Sequence, residues 1–316
     1  MFSTKLRQGL AALLTGPRPA PEGDDSGQVL GGDQFGPAED AADETPFGAG
    51  SAGEGRGPGL RESSTGYGIA GRVSADPIGV EEYLPGGELE TESGPVFVHE
   101  CLLSGFRDDA RELRRSFRAV EEGTAKCVWD QGRALIDVLG PSAGRALFLD
   151  LETTGLYGSP LFLAGFLMPV EGDFVIRQLF ARDYSEEKAV LLEAERSLAE
   201  CRALVTFNGK SYDVPFMRER AAYHRMDLES LDGKPHLDLL HWSRRRWKGS
   251  VTNCKLKTLE WEICRQRRWG DVPGDAIPGI YHHYVRTGDP YQLVPVFHHN
   301  VLDLVTMVDL VSRLVD

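Results

Sequence analysis

Two acidic residues, Asp150 and Glu152, lie within the apolar run LFLDLETTGL and have the spacing of a metal-binding pair. Residues two apart in a β-strand point to the same face, so both carboxylates should project together. Adjacent carboxylates repel each other and lose hydration unless a cation lies between them. Hard oxygen ligands of this kind suit Mg²⁺ or Mn²⁺. The run therefore predicts a divalent-metal site, provided that further acids follow downstream.

Two further acids follow at positions that could complete such a site. Asp213, in FNGKSYDVPF, comes after an apolar strand and a turn at Asn208, and it opens a helix. Asp303, in FHHNVLDLV, lies four residues after His299 and five after His298. Helical residues four apart share one face, which places His299 beside Asp303. Simpler roles are also open, since Asp213 could cap a helix and the histidines could lie on a solvated surface.

The order of elements around these acids predicts an α/β domain. Apolar runs predict strands over 145–151, 160–170, 173–181, 203–207 and 236–240. Helical periodicity predicts helices over 185–201, 213–223 and 291–315. Together they predict a mixed five-stranded sheet with helices on both faces.

The N-terminal part of the chain differs in composition. Residues 15–66 are rich in Gly, Pro, Ala, Asp, Glu and Ser, so they bury too little apolar surface to offset their ordering entropy. We expect residues 1–66 to form a disordered acidic tail, which could bind a protein partner. We interpret residues 67–144, with a strand near 96–98 and two helices, as an extension that packs on a main domain of residues 145–316.

Charge and composition limit the class of protein. A net charge of −13 argues against a protein that coats nucleic acid indiscriminately, because phosphates would repel it. The five cysteines are scattered without a C-x-x-C pair, which disfavours a zinc site and suits reduced thiols. No run approaches the roughly 18 to 20 apolar residues of a membrane span. We expect a soluble cytoplasmic protein that does not bind membranes, and the oligomeric state stays open.

A resemblance to a known family rests on five motifs in order: LFLDLETTGL, ALVTFNGKSYDVPF, PHLDLLHWSRRRW, CKLKTLE and HHNVLDL. They resemble the YprB-type ribonuclease H-like domain. That family is similar to the DEDD exonuclease superfamily and to the proofreading exonuclease domains of B-family DNA polymerases. The resemblance covers residues 145–314 and implies a ribonuclease H-like fold. Residues 271–290 also resemble the family, without a chemical role that we can assign.

The resemblance implies that Asp150, Glu152, Asp213 and Asp303 bind two divalent cations, Mg²⁺ or Mn²⁺. Asp150 would bridge both ions. Glu152 and Asp303 would complete the site of the nucleophile-activating ion, and Asp213 would reach the second ion, partly through water. The implied reaction is 3′→5′ hydrolysis of single-stranded DNA or RNA, which releases 5′-nucleoside monophosphates.

Either histidine of FHHNVLDLV could take the proton of the attacking water, because neutral imidazole has a pKa near working pH. His298 falls at the five-residue spacing of histidine-type DEDD exonucleases. His299 falls where polymerase proofreading domains carry a Tyr. We favour His299 on helical geometry and on the His-Asn-x-x-Asp pattern of the family, with His298 as the alternative.

A locally basic segment could hold the polymer. Residues 244–268 contain nine Lys or Arg against two Glu, and four tryptophans lie in or beside them: Trp242, Trp247, Trp261 and Trp269. Cations along a phosphate backbone and rings that stack on bases suit single-stranded nucleic acid, although core tryptophans and a solvated helix end are the simpler interpretation. The candidate substrate contacts are Thr153, Thr154, Asn208, Lys210, Arg245, Lys255 and Lys257.

Other classes of function remain open beside the exonuclease. The same fold and metal centre could support an endonuclease. A catalytically silent nucleic-acid-binding or scaffold module and a structural metal site are further alternatives. Four clustered carboxylates are costly to keep for structure alone, which favours the enzyme. We expect Asp238, in PHLDLLH, to be structural.

Overall fold

The computed structural model describes residues 79–127, 129–143 and 145–315, without the side chains of residues 130 and 141–143. The expected tail, residues 1–66, lies outside the described residues. The strands are β1 (Gly86–Thr91), β2 (Gly94–Leu102), β3 (Ala146–Thr153), β4 (Leu161–Val170), β5 (Asp173–Phe180), β6 (Ala203–Thr206) and β7 (His236–Asp238). The α-helices are α1 (Ala110–Glu121), α2 (Asp130–Ala143), α3 (Glu187–Glu200), α4 (Asp213–Tyr223), α5 (Leu239–Trp247), α6 (Leu256–Glu262), α7 (Ile277–Thr287) and α8 (Val294–Val315).

The described strands form one mixed sheet in the order β1-β2-β5-β4-β3-β6-β7. In this order, each strand from β1 through β2, β5 and β4 to β3 is antiparallel to the next, whereas β6 is parallel to both β3 and β7. The mixed α/β sheet is confirmed, but the prediction of five strands was wrong because β1 and β2 extend the edge beside β5. The sequence of β1, GGELET, is mostly exposed and lacks the apolar run that reveals a buried strand.

The end of the fifth predicted strand also differs from the prediction. The strand β7 stops at Asp238, and α5 begins at Leu239, within the run HLDLL. The Asp238 carboxylate accepts the backbone N–H of Leu240, which is the bond of a helix N-cap. A capping aspartate thus ends the strand two residues earlier than the apolar run indicates.

The two faces of the sheet are covered by different helices, and β3 is buried between them. Leu147, Leu149 and Leu151 belong to the hydrophobic cluster that includes α3 and α7. Phe148, on the other face, belongs to the cluster that includes α1 and α8. Burial on both faces explains why β3 reads as a continuous apolar run. By alternation, Asp150 and Glu152 lie on the face packed by α8.

The helix α8 is the central helix of this second face. Together with the turn before it, α8 is the single described helix that is long and apolar enough to cross a membrane, and 78% of that apolar window is buried inside the protein. Its hydrophobic residues pack against α1, α2 and the sheet. The apolar residues of α8 are therefore part of the hydrophobic core.

The helix α8 approaches the sheet closely at Gly165. Cross-strand pairing places Asp150, Gly165 and Gln178 side by side on β3, β4 and β5. Asn300 of α8 lies over Gly165, where its Nδ2 donates to the backbone oxygen and to Oδ2 of Asp150 at 3.1 and 2.8 Å. Its Oδ1 accepts a hydrogen bond from Gln178 Nε2 at 2.8 Å. A Cβ at position 165 would lie 1.9 Å from Asn300 Oδ1, so only glycine permits this approach.

We predict that Gly165→Ala destabilises the fold by about 1–3 kcal/mol, because the added methyl must displace the buried Asn300 and break its hydrogen bonds. Urea unfolding followed by circular dichroism measures the change in free energy. Gly279→Ala in α7 is the matched control, since a Cβ there meets nothing within 4 Å. The control should be neutral or slightly stabilising, and equal stability of the two variants would contradict the prediction.

Candidate active site

The two acids of β3 lie near the end of the strand, where its pairing with β4 becomes irregular. Asp150 and Glu152 are both partly exposed to solvent. The register of β3 against β4 shifts between Glu152 and Thr153, so the ladder is interrupted directly after the second acid. Irregularities of this type bend a strand and re-aim the side chains beside them. The carboxylates therefore face a solvent-accessible space at the edge of the core.

Asp213 reaches the same region from the neighbouring strand. The chain leaves β6, which is parallel to β3, and turns at Asn208, whose φ of 65° is one that asparagine tolerates well. Asp213 is the first residue of α4 and is buried. The backbone N–H groups of Asp213 itself and of Leu151 lie near its carboxylate and act to lower its pKa. Asp213 thus lies beside β3 at Leu151, the residue between Asp150 and Glu152.

The four acids interact electrostatically. Burial, followed by repulsion from Asp303 and the other two acids, raises the pKa of Asp150 well above its usual range. Burial and repulsion from Asp303 and Asp213 also raise the pKa of Glu152 well above its usual range. Burial raises the pKa of Asp213 to about 7, and the charge of Asp303 adds to the effect. The sequence-distant acids therefore form one cluster of mutually repelling charges.

This donor set fits Mg²⁺ or Mn²⁺ in chemistry and in charge, since its oxygens are hard ligands with unbalanced negative charge. Among the described residues, no three histidine, cysteine or acidic side chains are already gathered as a formed metal site. Asp303 Oδ1 instead accepts a hydrogen bond from the guanidinium of Arg268. Arg268 therefore competes with a cation for the carboxylate of Asp303.

The structure brings His299 to Asp303. The Nε2 atom of His299 lies 3.6 Å from Asp303 Oδ2, one helical turn away. Its Nδ1 lies 2.6 Å from Asp271 Oδ1 and 3.1 Å from the carbonyl oxygen of Val272. Both partners of Nδ1 are acceptors, so Nδ1 carries the proton of the neutral ring and Nε2 keeps its lone pair.

His298 points away from the acids. Its Nε2 lies 3.1 Å from the carbonyl oxygen of Trp269, to which it donates, and its ring centre lies 5.3 Å from that of Phe106. Burial lowers the pKa of His298. The structure therefore places only His299, of the two candidate histidines, beside an acid of the cluster.

Asp271 and Arg268 belong to the site, although the sequence did not identify them. The guanidinium of Arg268 is mostly buried and contacts the carboxylates of Glu260, Asp271 and Asp303. Although burial opposes it, hydrogen bonds from His299 and Lys257 hold the pKa of Asp271 well below its usual range. The one sequence signal for Asp271 was that residues 271–290 resemble the family.

A cleft of about 690 Å³ opens onto two of the four acids. Asp150 and Asp303 line it together with three basic residues, Arg244, Lys248 and Lys255. Of the expected substrate contacts, Asn208 and Lys255 line this cleft, whereas Arg244 and Lys248 were not singled out. Basic walls that lead to acids combine an attraction for a polyanion with a place for cations.

The two threonines after the acids are engaged within their own loop. Thr153 Oγ1 donates to the carbonyl oxygen of Gly155 at 2.7 Å and lies 2.9 Å from the hydroxyl of Tyr212. Thr154 donates through Oγ1 to the carbonyl oxygen of Pro160 at 3.1 Å. Both side chains shape the loop between β3 and β4, and neither lines the cleft.

The other expected basic contacts do not line this cleft. The Nζ atom of Lys257 lies 2.9 Å from Asp271 Oδ2. The guanidinium of Arg245 lies 5.7 Å from the ring centre of Trp242. Lys210 is exposed, and its backbone N–H donates to Asp238. Asp238 also accepts the N–H of Asn208, in agreement with the structural role expected for it.

Comparisons with known proteins identify the family. Residues 147–315, more than half of the chain, match the model of the RNase H superfamily. Over 200 residues, 62% of the chain, the sequence is 32% identical to the uncharacterized protein YprB of Bacillus subtilis (strain 168), and the chain spans 48% of the length of that protein. The family B DNA polymerase from the hyperthermophilic archaeon Pyrobaculum calidifontis is matched with a TM-score of 0.44 at 14% identity, over 54% of this chain and 24% of the polymerase. The chain thus belongs to the RNase H superfamily, and its ribonuclease H-like domain is similar to that of YprB.

Proposed function

We propose that this protein is a metal-dependent 3′→5′ exonuclease that hydrolyses single-stranded DNA or RNA and releases 5′-nucleoside monophosphates. The proposal is carried by one observation, the cluster of four interacting carboxylates at a cleft with basic walls. Membership in the RNase H superfamily agrees with a nuclease-like fold. Fold alone does not define activity, so the proposal rests on the residues of the site.

The charges of the site suit a phosphodiester substrate. The clustered acids repel a phosphate unless cations lie between them, whereas Arg244, Lys248 and Lys255 attract the polymer. Asp150, Glu152, Asp213 and Asp303 would hold two divalent cations, which when bound stabilise the charge on the attacking and leaving oxygens.

His299 has the geometry of the general base. In the neutral ring Nε2 is the unprotonated nitrogen and faces Asp303, so it can accept the proton of an attacking water. Asp271 on Nδ1 fixes this tautomer and stabilises the ring when it becomes charged. Arg268 bonds both Asp271 and Asp303 and so holds the base and an acid in one arrangement. Asp271 and Arg268 are positioning residues in this scheme.

The first prediction concerns the acids. With Mg²⁺ or Mn²⁺, the full chain should shorten 5′-labelled single-stranded oligonucleotides stepwise from the 3′ end. Asp150→Asn keeps the size of the side chain but removes its charge, and it should slow the reaction about 100-fold or more. Asp232→Asn is the matched control, because Asp232 is an exposed partner of Arg218 outside the site, and it should retain wild-type activity.

Two other results of this assay would change the assignment. Cuts within circular single-stranded DNA would indicate an endonuclease with the same metal centre. Binding of the oligonucleotides without cleavage by the wild-type chain would indicate a silent nucleic-acid-binding module.

The second prediction separates the histidines. His299→Ala should lower the single-turnover rate at saturating substrate by about 100- to 10,000-fold, because the proton acceptor is lost. Asp271→Asn should lower the same rate by at least about 10-fold, because an amide no longer enforces the tautomer of His299. His298→Ala should change it by less than about threefold, since its ring faces Trp269. Equal rates for the two histidine variants would contradict the assignment.

The third prediction concerns stability without metal. Asp213 has a folded pKa of about 7, against 3.8 for an ordinary aspartate, so the native state binds more protons between these pH values. Stability therefore falls as pH rises through this range. In EDTA, Asp213→Asn should raise the Tm by a few degrees at pH 8 and by much less at pH 4. A lower Tm of the variant at pH 8 would contradict the expected repulsion.

The same variant tests whether the repulsion is relieved by cations. Mg²⁺ that binds only the folded state should raise the Tm of the wild-type chain at pH 8. The increase should be smaller for Asp213→Asn, because one ligand is weakened. Thermal unfolding followed by circular dichroism measures both effects.

A further inference from the structure

The tryptophans of the basic segment divide into two pairs by exposure. Trp242 and Trp247 pack against the core, and Trp242 meets Trp129 edge-on with ring centres 6.1 Å apart. Trp261 and Trp269 have exposed fractions of 47% and 71%. Single exposed rings are common on protein surfaces, so these two tryptophans indicate a binding surface only if they lie together.

These two exposed tryptophans line the same cleft. The cleft measures about 510 Å³, and its charged lining residues are the cations Lys257, Arg267 and Arg268 and the acids Glu260 and Asp271. The guanidinium of Arg267 lies 4.4 Å from the ring centre of Trp261, in a cation–π contact. The cleft therefore combines aromatic rings with cations, the two features by which proteins hold single-stranded nucleic acid.

One ion pair links this tryptophan cleft to the cleft that contains the acids. Asp303 lines the first cleft, and its ion-pair partner Arg268 lines the tryptophan cleft. Lys257 and Asp271 also lie in the wall of the tryptophan cleft. The two clefts are therefore separated by a single side-chain contact, between Arg268 and Asp303.

The backbone that carries Trp269 is anchored while its ring is exposed. His298 donates from Nε2 to the carbonyl oxygen of Trp269 at 3.1 Å. The preceding residue, Arg268, contacts Glu260 and Asp271. An anchored backbone fixes the point from which the ring projects before a ligand arrives, which lowers the ordering cost of binding. This contact also accounts for the orientation of His298.

We propose that the tryptophan cleft is a base-stacking site, in which a base of single-stranded nucleic acid stacks on Trp269 and Trp261. The identity of the polymer rests on the proposed nuclease function. The site requires an unpaired base but no particular base, because every base has a face that can stack. It would hold the strand in place while the terminal phosphodiester lies at the acids.

Binding of two labelled probes to the full chain tests the site. Fluorescence anisotropy in Ca²⁺, which binds carboxylate oxygens and offsets the charge of the acids but does not replace Mg²⁺ or Mn²⁺ in the proposed reaction, compares a 12-residue oligodeoxythymidylate with a 12-residue abasic strand that has the same phosphates. Trp269→Ala should weaken binding of the thymidylate about 5- to 100-fold and leave binding of the abasic strand unchanged. Trp269→Phe should restore most of the affinity, because it retains an aromatic face.

The matched control is Tyr223→Ala, which removes an exposed ring with an arginine above it, outside the cleft. This control should bind both probes like the wild-type chain. The proposal is overturned by wild-type affinity of Trp269→Ala for the thymidylate, by an equal loss on both probes, or by a wild-type chain that binds neither probe.

The same proteins in Mg²⁺ separate this proposal from the nuclease function. Base-dependent binding through Trp269 without cleavage would reject the nuclease and keep the stacking site. Cleavage by the wild-type chain together with unchanged binding by Trp269→Ala would reject the stacking site alone.

Discussion

The close approach of α8 to the sheet is the contact on which the site depends. Asn300 reaches across Gly165 and bonds both Asp150 on β3 and Gln178 on β5. These bonds fix the rotation and the height of α8 above the sheet. His299 and Asp303, on the same helix, are thereby held over the acids of β3. A side chain at position 165 would push the helix away, so the smallest residue of β4 sets the geometry of the whole cluster.

The burial and mutual repulsion of the acids oppose the folding of the site. Burial and mutual repulsion raise the pKa values of Asp150, Glu152 and Asp213, which means that the folded chain is weakened where these acids meet. Arg268 offsets part of this charge by pairing with Asp303 from the segment after α6. Sites that are costly to the fold in this way are typical of function, because cations or substrate later supply the missing interactions.

Much of the fold was readable from local patterns. The strand β3 and the helix α4 follow from an apolar run and from helical periodicity, and both lie where they were expected. The sequence did not reveal β1, because an exposed edge strand with polar residues is stabilised by its neighbour rather than by its own pattern. Similarly, Asp238 ended β7 early through a capping bond that an apolar run does not indicate.

The sequence by itself determined the order of the four acids, the fold class and the spacing of His299 and Asp303. Side chains repeat every two residues along a strand and nearly every four along a helix, so the strands, the helices and the shared face of His299 and Asp303 follow from local patterns. Only the tertiary structure decided which histidine meets the acids, which basic residues line the cleft and which tryptophans are exposed. It also brought Asp271 and Arg268 to the site, although they lie 28 and 35 residues before their partners His299 and Asp303 in the chain. The physical reason is that contacts between distant segments depend on how helices and loops pack, which no local period in the sequence encodes.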